Sequence, residues 1–232
     1  MLFRQLFDPG TSTYTYLIAD IQTREAALVD AVLEQVERDT RLLRELGLAL
    51  RYCLETHVHA DHVTGAGQLK ALTGCQTIVP QYAEVACADR QLHDDEEIWI
   101  GDISIKAIAT PGHTDSHLAY LVNQTHLLTG DALLIRGCGR TDFQSGNAGL
   151  LYDAITQRLF TLPGDTLVYP GHDYRGQTVS TIWEERQWNP RLARRSRQDF
   201  IEFMAGLRLP PPQKMMEAVP ANQVCGQVEV HA

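Results

Sequence analysis

Hydrophobic residues along this chain fall into short runs, several alternating with polar residues on a period of two, as half-buried or buried strands require. Such runs lie at residues 13–19, 26–29, 48–54, 76–79, 103–109, 118–122, 126–128 and 166–169. A different period governs residues 34–46, where Val36, Leu42, Leu43 and Leu46 recur at helical spacing. Asp30 is placed to cap that helix and Gly47 to stop it. Further helices are expected around residues 67–72, 148–160, 178–187 and 196–206. Strands occur both in adjacent pairs and alternating with helices. An α+β fold of two mixed sheets flanked by helices therefore suits the order better than a doubly wound parallel sheet. The expected organisation is one domain over residues 1–232, with an extended tail from about 207 around Pro210-Pro211-Pro212.

Composition narrows the function classes. Hydrophobic residues make up 44% and charged residues 21%, ordinary values for a folded domain. Twenty-nine acidic residues against 20 basic ones leave a formal charge of −9, which repels phosphate backbones and anionic lipid, so neither nucleic acid nor membrane is an expected partner. The longest strongly apolar stretches, such as residues 26–29 and 133–135, are far short of the ~20 residues of a membrane helix. At the N-terminus the turn signal Asp8-Pro9-Gly10 arrives before any leader-like apolar region develops, so the chain is expected to begin directly in its fold. Cys53, Cys75, Cys87, Cys138 and Cys225 are odd in number, scattered and never in a CxxC pair. That pattern argues against a disulfide framework or a zinc-cysteine site and makes a reducing, cytoplasmic location the expectation.

The densest chemistry follows the apolar run 48–54, where His57, His59, Asp61 and His62 form His-x-His-x-Asp-His. In an extended segment this alternation sends imidazoles and a carboxylate to one side. Such a donor set suits Zn, Fe or Mn. Three later segments repeat a strand followed by a tight turn that presents one donor: Thr110-Pro111-Gly112-His113, Thr129-Gly130-Asp131 and Tyr169-Pro170-Gly171-His172. Outside this syntax His93, His126 and His231 read as surface or structural residues, and His117 as the opening of the next strand. Cys138, between Gly137 and Gly139 with no base nearby in sequence, reads as a small buried residue rather than a nucleophile. The cluster Arg186, Arg191, Arg194, Arg195 and Arg197 reads mostly as a solvated helix face or as partners for Glu184 and Glu185, with Arg191 the exception.

The series His57-x-His59-x-Asp61-His62, His113, Asp131, His172 resembles the ligand series of the metallo-β-lactamase superfamily. That resemblance implies an αβ/βα sandwich with the metal site at one edge. In dinuclear members His57, His59 and His113 would hold one metal, Asp61, His62 and His172 the other, with Asp131 bridging. Within the superfamily, residues 129–143 (TGDALLIRGCGRTDF), Tyr169-Pro170-Gly171-His172-Asp173-Tyr174, Glu184-Glu185-Arg186 with Asn189-Pro190-Arg191, and Val219-Pro220-Ala221-Asn222 resemble the persulfide dioxygenases. This implies one Fe(II) per chain on His57, His113 and Asp131, with O2 as co-substrate, oxidising glutathione persulfide to sulfite and glutathione. Arg140, Tyr174 and Arg191 would line or support the glutathione site. His59, Asp61, His62 and His172 would hydrogen-bond ligands and bound water, although as donors they equally permit a second metal. Cys138, Asp142 and Asp173 would be supporting residues, and a homodimer is the expected assembly. Two other readings stay open: a glyoxalase II-type hydrolase of glutathione thioesters, with zinc, and a non-enzymatic metal or redox sensor.

Overall fold

Every residue of Thr13–Ala19 is buried in the computed structural model, which describes residues 1–210 and 214–226. A strand covered on both faces belongs inside a sheet. Thr13–Ala19 is β2 of a six-stranded mixed sheet in the order β1 (Leu2–Asp8), β2, β3 (Glu25–Val29), β4 (Ala49–Leu54), β5 (Gln76–Pro80) and β6 (Arg90–Leu92). β1 to β3 pair antiparallel, and β3 to β6 run parallel. Parallel neighbours need crossover connections, and helices α1 (Val36–Glu45) and α2 (Ala66–Thr73) lie in the first two. Leu43 of α1 and Leu69 of α2 share one apolar cluster with Leu17, Leu28 and Leu50. Each such aliphatic burial is worth about 1.5–3 kcal/mol, more than helix propensity gives an element of this length. This sheet, residues 99–103 and the described C-terminal residues 214–226 form one compact unit.

The second unit comprises residues 93–98 and 104–210. A second mixed six-stranded sheet runs in the order β14 (Ser180–Thr181), β13 (Leu167–Pro170), β10 (His126–Gly130), β9 (Leu118–Val122), β8 (Ile103–Ala109) and β7 (Glu97–Ile100). Between β10 and β13 lie the ribbon β11 (Leu133–Leu134) and β12 (Gly137–Cys138), helix α3 (Ala148–Ala154) and a π-helical turn, Ile155–Leu159. Helices α4 (Ile182–Trp188) and α5 (Arg197–Gly206) follow. Leu127, Leu151, Ile155, Val168, Ile182 and Phe200 belong to one buried cluster. Ser196 and Asp199 cap α5 reciprocally, which fixes its start where the sequence puts it.

All eight sequence-derived strands are present, and the two mixed sheets with helices match the expected class. β1, β6 and β7, and the two-residue strands β11, β12 and β14, lie outside the runs picked out by periodicity. Asp30 does not cap α1: a 3-10 turn, Leu33–Gln35, precedes the helix, and the Asp30 carboxylate is taken by Thr56. The tail expected to be extended contains a helix, α6 (Met215–Asn222), whose Ala218 and Ala221 are buried. His231 and the tail residues 211–213 lie outside the described residues. Cys87 and Cys225 form a disulfide, their Cα atoms 6.0 Å apart and 138 residues separated in sequence. The sequence pattern, read as arguing against a disulfide framework, did not point to this pair, because spacing along the chain carries no information on a contact made by the fold.

Candidate functional site

In the first unit the histidine motif follows β4 directly, and buried carboxylates organise it. Asp30 accepts from the Thr56 backbone N–H at 2.7 Å and from Thr56 Oγ1 at 2.9 Å. Because that hydroxyl donates to Asp30, it accepts from His57 Nδ1 at 2.9 Å, so the hydrogen of His57 sits on Nδ1 and the lone pair on Nε2. His59 gives Nε2–H to Asp30 at 3.1 Å and lies 3.3 Å from Glu55 Oε2. Burial opposes charge on His59, yet Asp30 and Glu55 outweigh it and hold the imidazole well above its usual pKa. Glu55 is fixed in turn by Thr64 Oγ1. The His57, His59 and His62 rings lie against one another, tilted by 51° and 37°, with centroids 4.1 and 4.3 Å apart.

Asp61 Oδ2 lies 2.9 Å from His62 Nδ1 and accepts from Thr13 Oγ1 of β2 at 3.2 Å. Among the described residues, His59 Nδ1 and His62 Nε2 are buried side-chain nitrogens with no hydrogen-bond partner. Buried polar atoms are normally satisfied. His59, Asp61 and His62 also bring one donor atom each within 4.8 Å of the others. This donor set fits a metal ion or its bound water.

The loop is held from behind by α6. Asn222, itself buried, donates Nδ2–H to the carbonyls of His59 and His62, both at 2.9 Å, and accepts from the Thr64 N–H at 2.8 Å. Asn222 ends the Val-Pro-Ala-Asn motif, and its role was not legible from the sequence because it depends on a contact across about 160 residues. The Cys87–Cys225 disulfide lies three residues beyond it.

In the second unit the other three donors converge. His113 gives Nδ1–H to the Arg140 carbonyl at 2.8 Å, which leaves its lone pair on Nε2. That nitrogen lies 3.6 Å from Asp131 Oδ2. His172 Nδ1 lies 2.7 Å from Asp131 Oδ1 and donates to it. Backbone fit allows no side chain at two neighbouring glycines. A Cβ on Gly139 would stand 2.3 Å from Asp131 O and 2.8 Å from His113 Nδ1, and one on Gly171 would stand 2.8 Å from Asp131 Oδ1.

The remaining sequence-derived candidates build the frame around these donors. Arg140 engages Asp142 through two hydrogen bonds of 2.7 and 2.9 Å, donates to Pro210 O at 2.7 Å and covers the Phe143 ring at 4.3 Å. The Arg140 contact keeps the Asp142 carboxyl below its ordinary pKa. Arg191 donates to Cys138 O at 2.6 Å. Cys138 is buried, and burial pushes its thiol up to about 11, which fits an inert structural residue. Asp173 accepts the N–H groups of Arg175 and Gln177 and shapes the turn after His172. Tyr174 is exposed and stacks on His172, centroids 6.0 Å apart.

Glu184 and Glu185 do not pair with the downstream arginines; both engage Arg136. Asn189 donates to Gly137 O and Glu185, tying α4 to the β11–β12 ribbon. Arg136 and Asn189 are thus frame residues that sequence reasoning left without a role, and Glu185 serves the same frame instead of the downstream arginines.

Residues 8–172 match the family model of the metallo-β-lactamase superfamily. The chain is 49% identical over 228 residues to human mitochondrial persulfide dioxygenase, covering 97% of this chain and 89% of that protein. It matches the crystal structure of ETHE1 from Myxococcus xanthus with a TM-score of 0.95 and 52% identity, covering 97% of this chain and 100% of that one. A metallo-β-lactamase structure from Staphylococcus aureus, 24% identical, has a TM-score of 0.89, covers 97% of this chain and 72% of that one, and shares the fold. Two mixed sheets with flanking helices are thus the metallo-β-lactamase fold, and the His/Asp donor sets mark a metal-binding member. Sharing half its residues with them along nearly its whole length, the chain belongs to the persulfide dioxygenases of the metallo-β-lactamase superfamily.

Proposed function

We propose that this chain oxidises glutathione persulfide with O2 to sulfite and glutathione, using one Fe(II) held by His57, His113 and Asp131. The single observation that carries the assignment of ligands is the hydrogen bonding behind them. His57 and His113 each give Nδ1–H to a fixed oxygen, which sets the tautomer whose Nε2 can bind a metal, and His172 holds Asp131 by Oδ1, which leaves the carboxylate role to Oδ2 in this reading. When bound, ferrous iron supplies the one-electron chemistry that lets O2 react with a sulfur donor. The terminal sulfur takes three oxygens, two from O2 and one from water, and the thiol is released.

The remaining residues position and bind. His59 and His62, both buried, and the partly exposed Asp61 offer hydrogen-bonding groups to metal-bound water. Tyr174 stands beside His172 as an exposed wall for the glutathione moiety, while Arg140 and Arg191 bond to the carbonyls of Pro210 and Cys138. Tyr174→Ala is expected to raise KM for the persulfide about tenfold with kcat little changed, because it removes binding surface and no reacting group. Steady-state kinetics checks this, and an unchanged KM would remove Tyr174 from the substrate site.

Among the described residues no helix is long and apolar enough to cross a membrane. The proposal is tested by loading the protein with Fe(II) anaerobically and adding glutathione persulfide. O2 consumption matched mole for mole by sulfite is the expected result. Hydrolysis of S-lactoylglutathione by the zinc-loaded protein, with no O2 consumed by the iron-loaded one, would move the chain to the thioesterase reading.

A further inference from the structure

We infer that His117 is a positioning residue that sets where Asp131 stands relative to His113, an inference that rests on reading Asp131 as a metal ligand. His117 is almost fully buried, and its Nε2 lies 3.1 Å from the backbone nitrogen of Asp131. A backbone N–H only donates, so Nε2 is the acceptor and the ring hydrogen is on Nδ1. That Nδ1–H donates to Thr110 Oγ1 at 2.8 Å, and Thr110 N–H returns a bond to the His117 carbonyl at 2.9 Å. Thr110 is completely buried. His117 therefore has one tautomer and one orientation.

The consequence lies in what this ring joins. Residues 110–117 form one turn, closed by the Thr110–His117 bonds, with His113 at its tip. The same turn that presents His113 also receives the Asp131 N–H four residues later. The two rings stand edge to face at 6.2 Å. Asp131 is anchored at three atoms: N–H by His117, carbonyl by the Gly139 N–H at 2.7 Å, and Oδ1 by His172. Only with all three fixed does Oδ2 have a single position facing His113 Nε2. His117 supplies the anchor that spans the two donor loops. Partners one step removed from a metal commonly change its affinity about 10–100-fold.

The test compares His117→Gln, whose side-chain oxygen can still accept from the Asp131 N–H, with His117→Phe, which keeps the ring volume but no acceptor. Two readouts are taken: amide hydrogen exchange at Asp131 in the metal-free protein, and the Fe(II) dissociation constant by chelator competition. His117→Phe is expected to accelerate Asp131 exchange and to raise the iron Kd at least about tenfold, while His117→Gln returns both to within about threefold of the native chain. Thr110→Val, which frees the tautomer, is expected to shift both in the same direction as His117→Phe, and by less. Unchanged exchange in His117→Phe, or identical behaviour of Gln and Phe, overturns the inference. Faster exchange with unchanged iron affinity also overturns it, and Asp131→Asn then locates the failure. If that variant keeps iron, the ligand reading has failed; if it loses iron, His117 alone has been misassigned.

Discussion

Asp131→Asn is expected to lower iron content to a small fraction of the native value and sulfite formation by at least about 100-fold, more than loss of an outer hydrogen-bonding partner would cost. The substitution keeps the size of the side chain and removes the only anionic donor of the proposed triad. It also replaces the carboxylate that accepts from His172 Nδ1 at 2.7 Å. An amide can present oxygen to His172 or to the metal, with its NH2 group left facing the other, so one of the two contacts is lost whichever way it turns. Metal analysis of the purified variant, alongside oxygen-electrode kinetics, checks the prediction. Iron content equal to that of the native chain would show that Asp131 is not a ligand.

Gly139→Ala is expected to be as damaging without touching any donor atom. The added methyl would lie 2.3 Å from the Asp131 carbonyl and 2.8 Å from His113 Nδ1, far inside van der Waals contact, against backbone and a ring held by the Arg140 carbonyl. Relief requires breaking the Gly139 N–H bond to Asp131 O or the His113 bond to Arg140 O. A loss of about 3 kcal/mol, or roughly 10 °C in Tm for a chain of this size, is expected together with loss of iron. Gly206→Ala is the control, since a Cβ there meets nothing within 4 Å. A thermal melt of Gly139→Ala that overlays the native curve would contradict the packing described around Asp131.

Eight of the strands and the two-sheet class were legible in the sequence because each depends on local pattern, alternation broken by a turn, and the same local pattern offered seven candidate donors, each a His or Asp in a loop after a strand. The frame was not legible, for reasons that differ by residue. Asp30 sits where a helix cap is expected, and only the fold reveals that Thr56 and His59 claim its carboxylate instead. His117 opens β9 as its sequence position suggests, yet its ring reaches Asp131, a contact that depends on how β9 pairs with β10. Asn222 and the Cys87–Cys225 pair depend on the C-terminal segment folding back as a helix. Arg140 was a candidate through the motif that carries it, but the sequence did not show that its guanidinium is engaged by Asp142 and Pro210. Periodicity reports what a residue buries. It is silent on which distant polar group that residue meets.

The number of metals decides the chemistry, since His59, Asp61, His62 and His172 have the donor atoms for a second ion as well as for the bound water proposed here. Anomalous diffraction at the iron edge, on crystals of protein purified with its native metal, tests this most directly. One iron per chain, within bonding distance of His57, His113 and Asp131, is the expected result. Two fully occupied centres sharing the Asp131 carboxylate would contradict it.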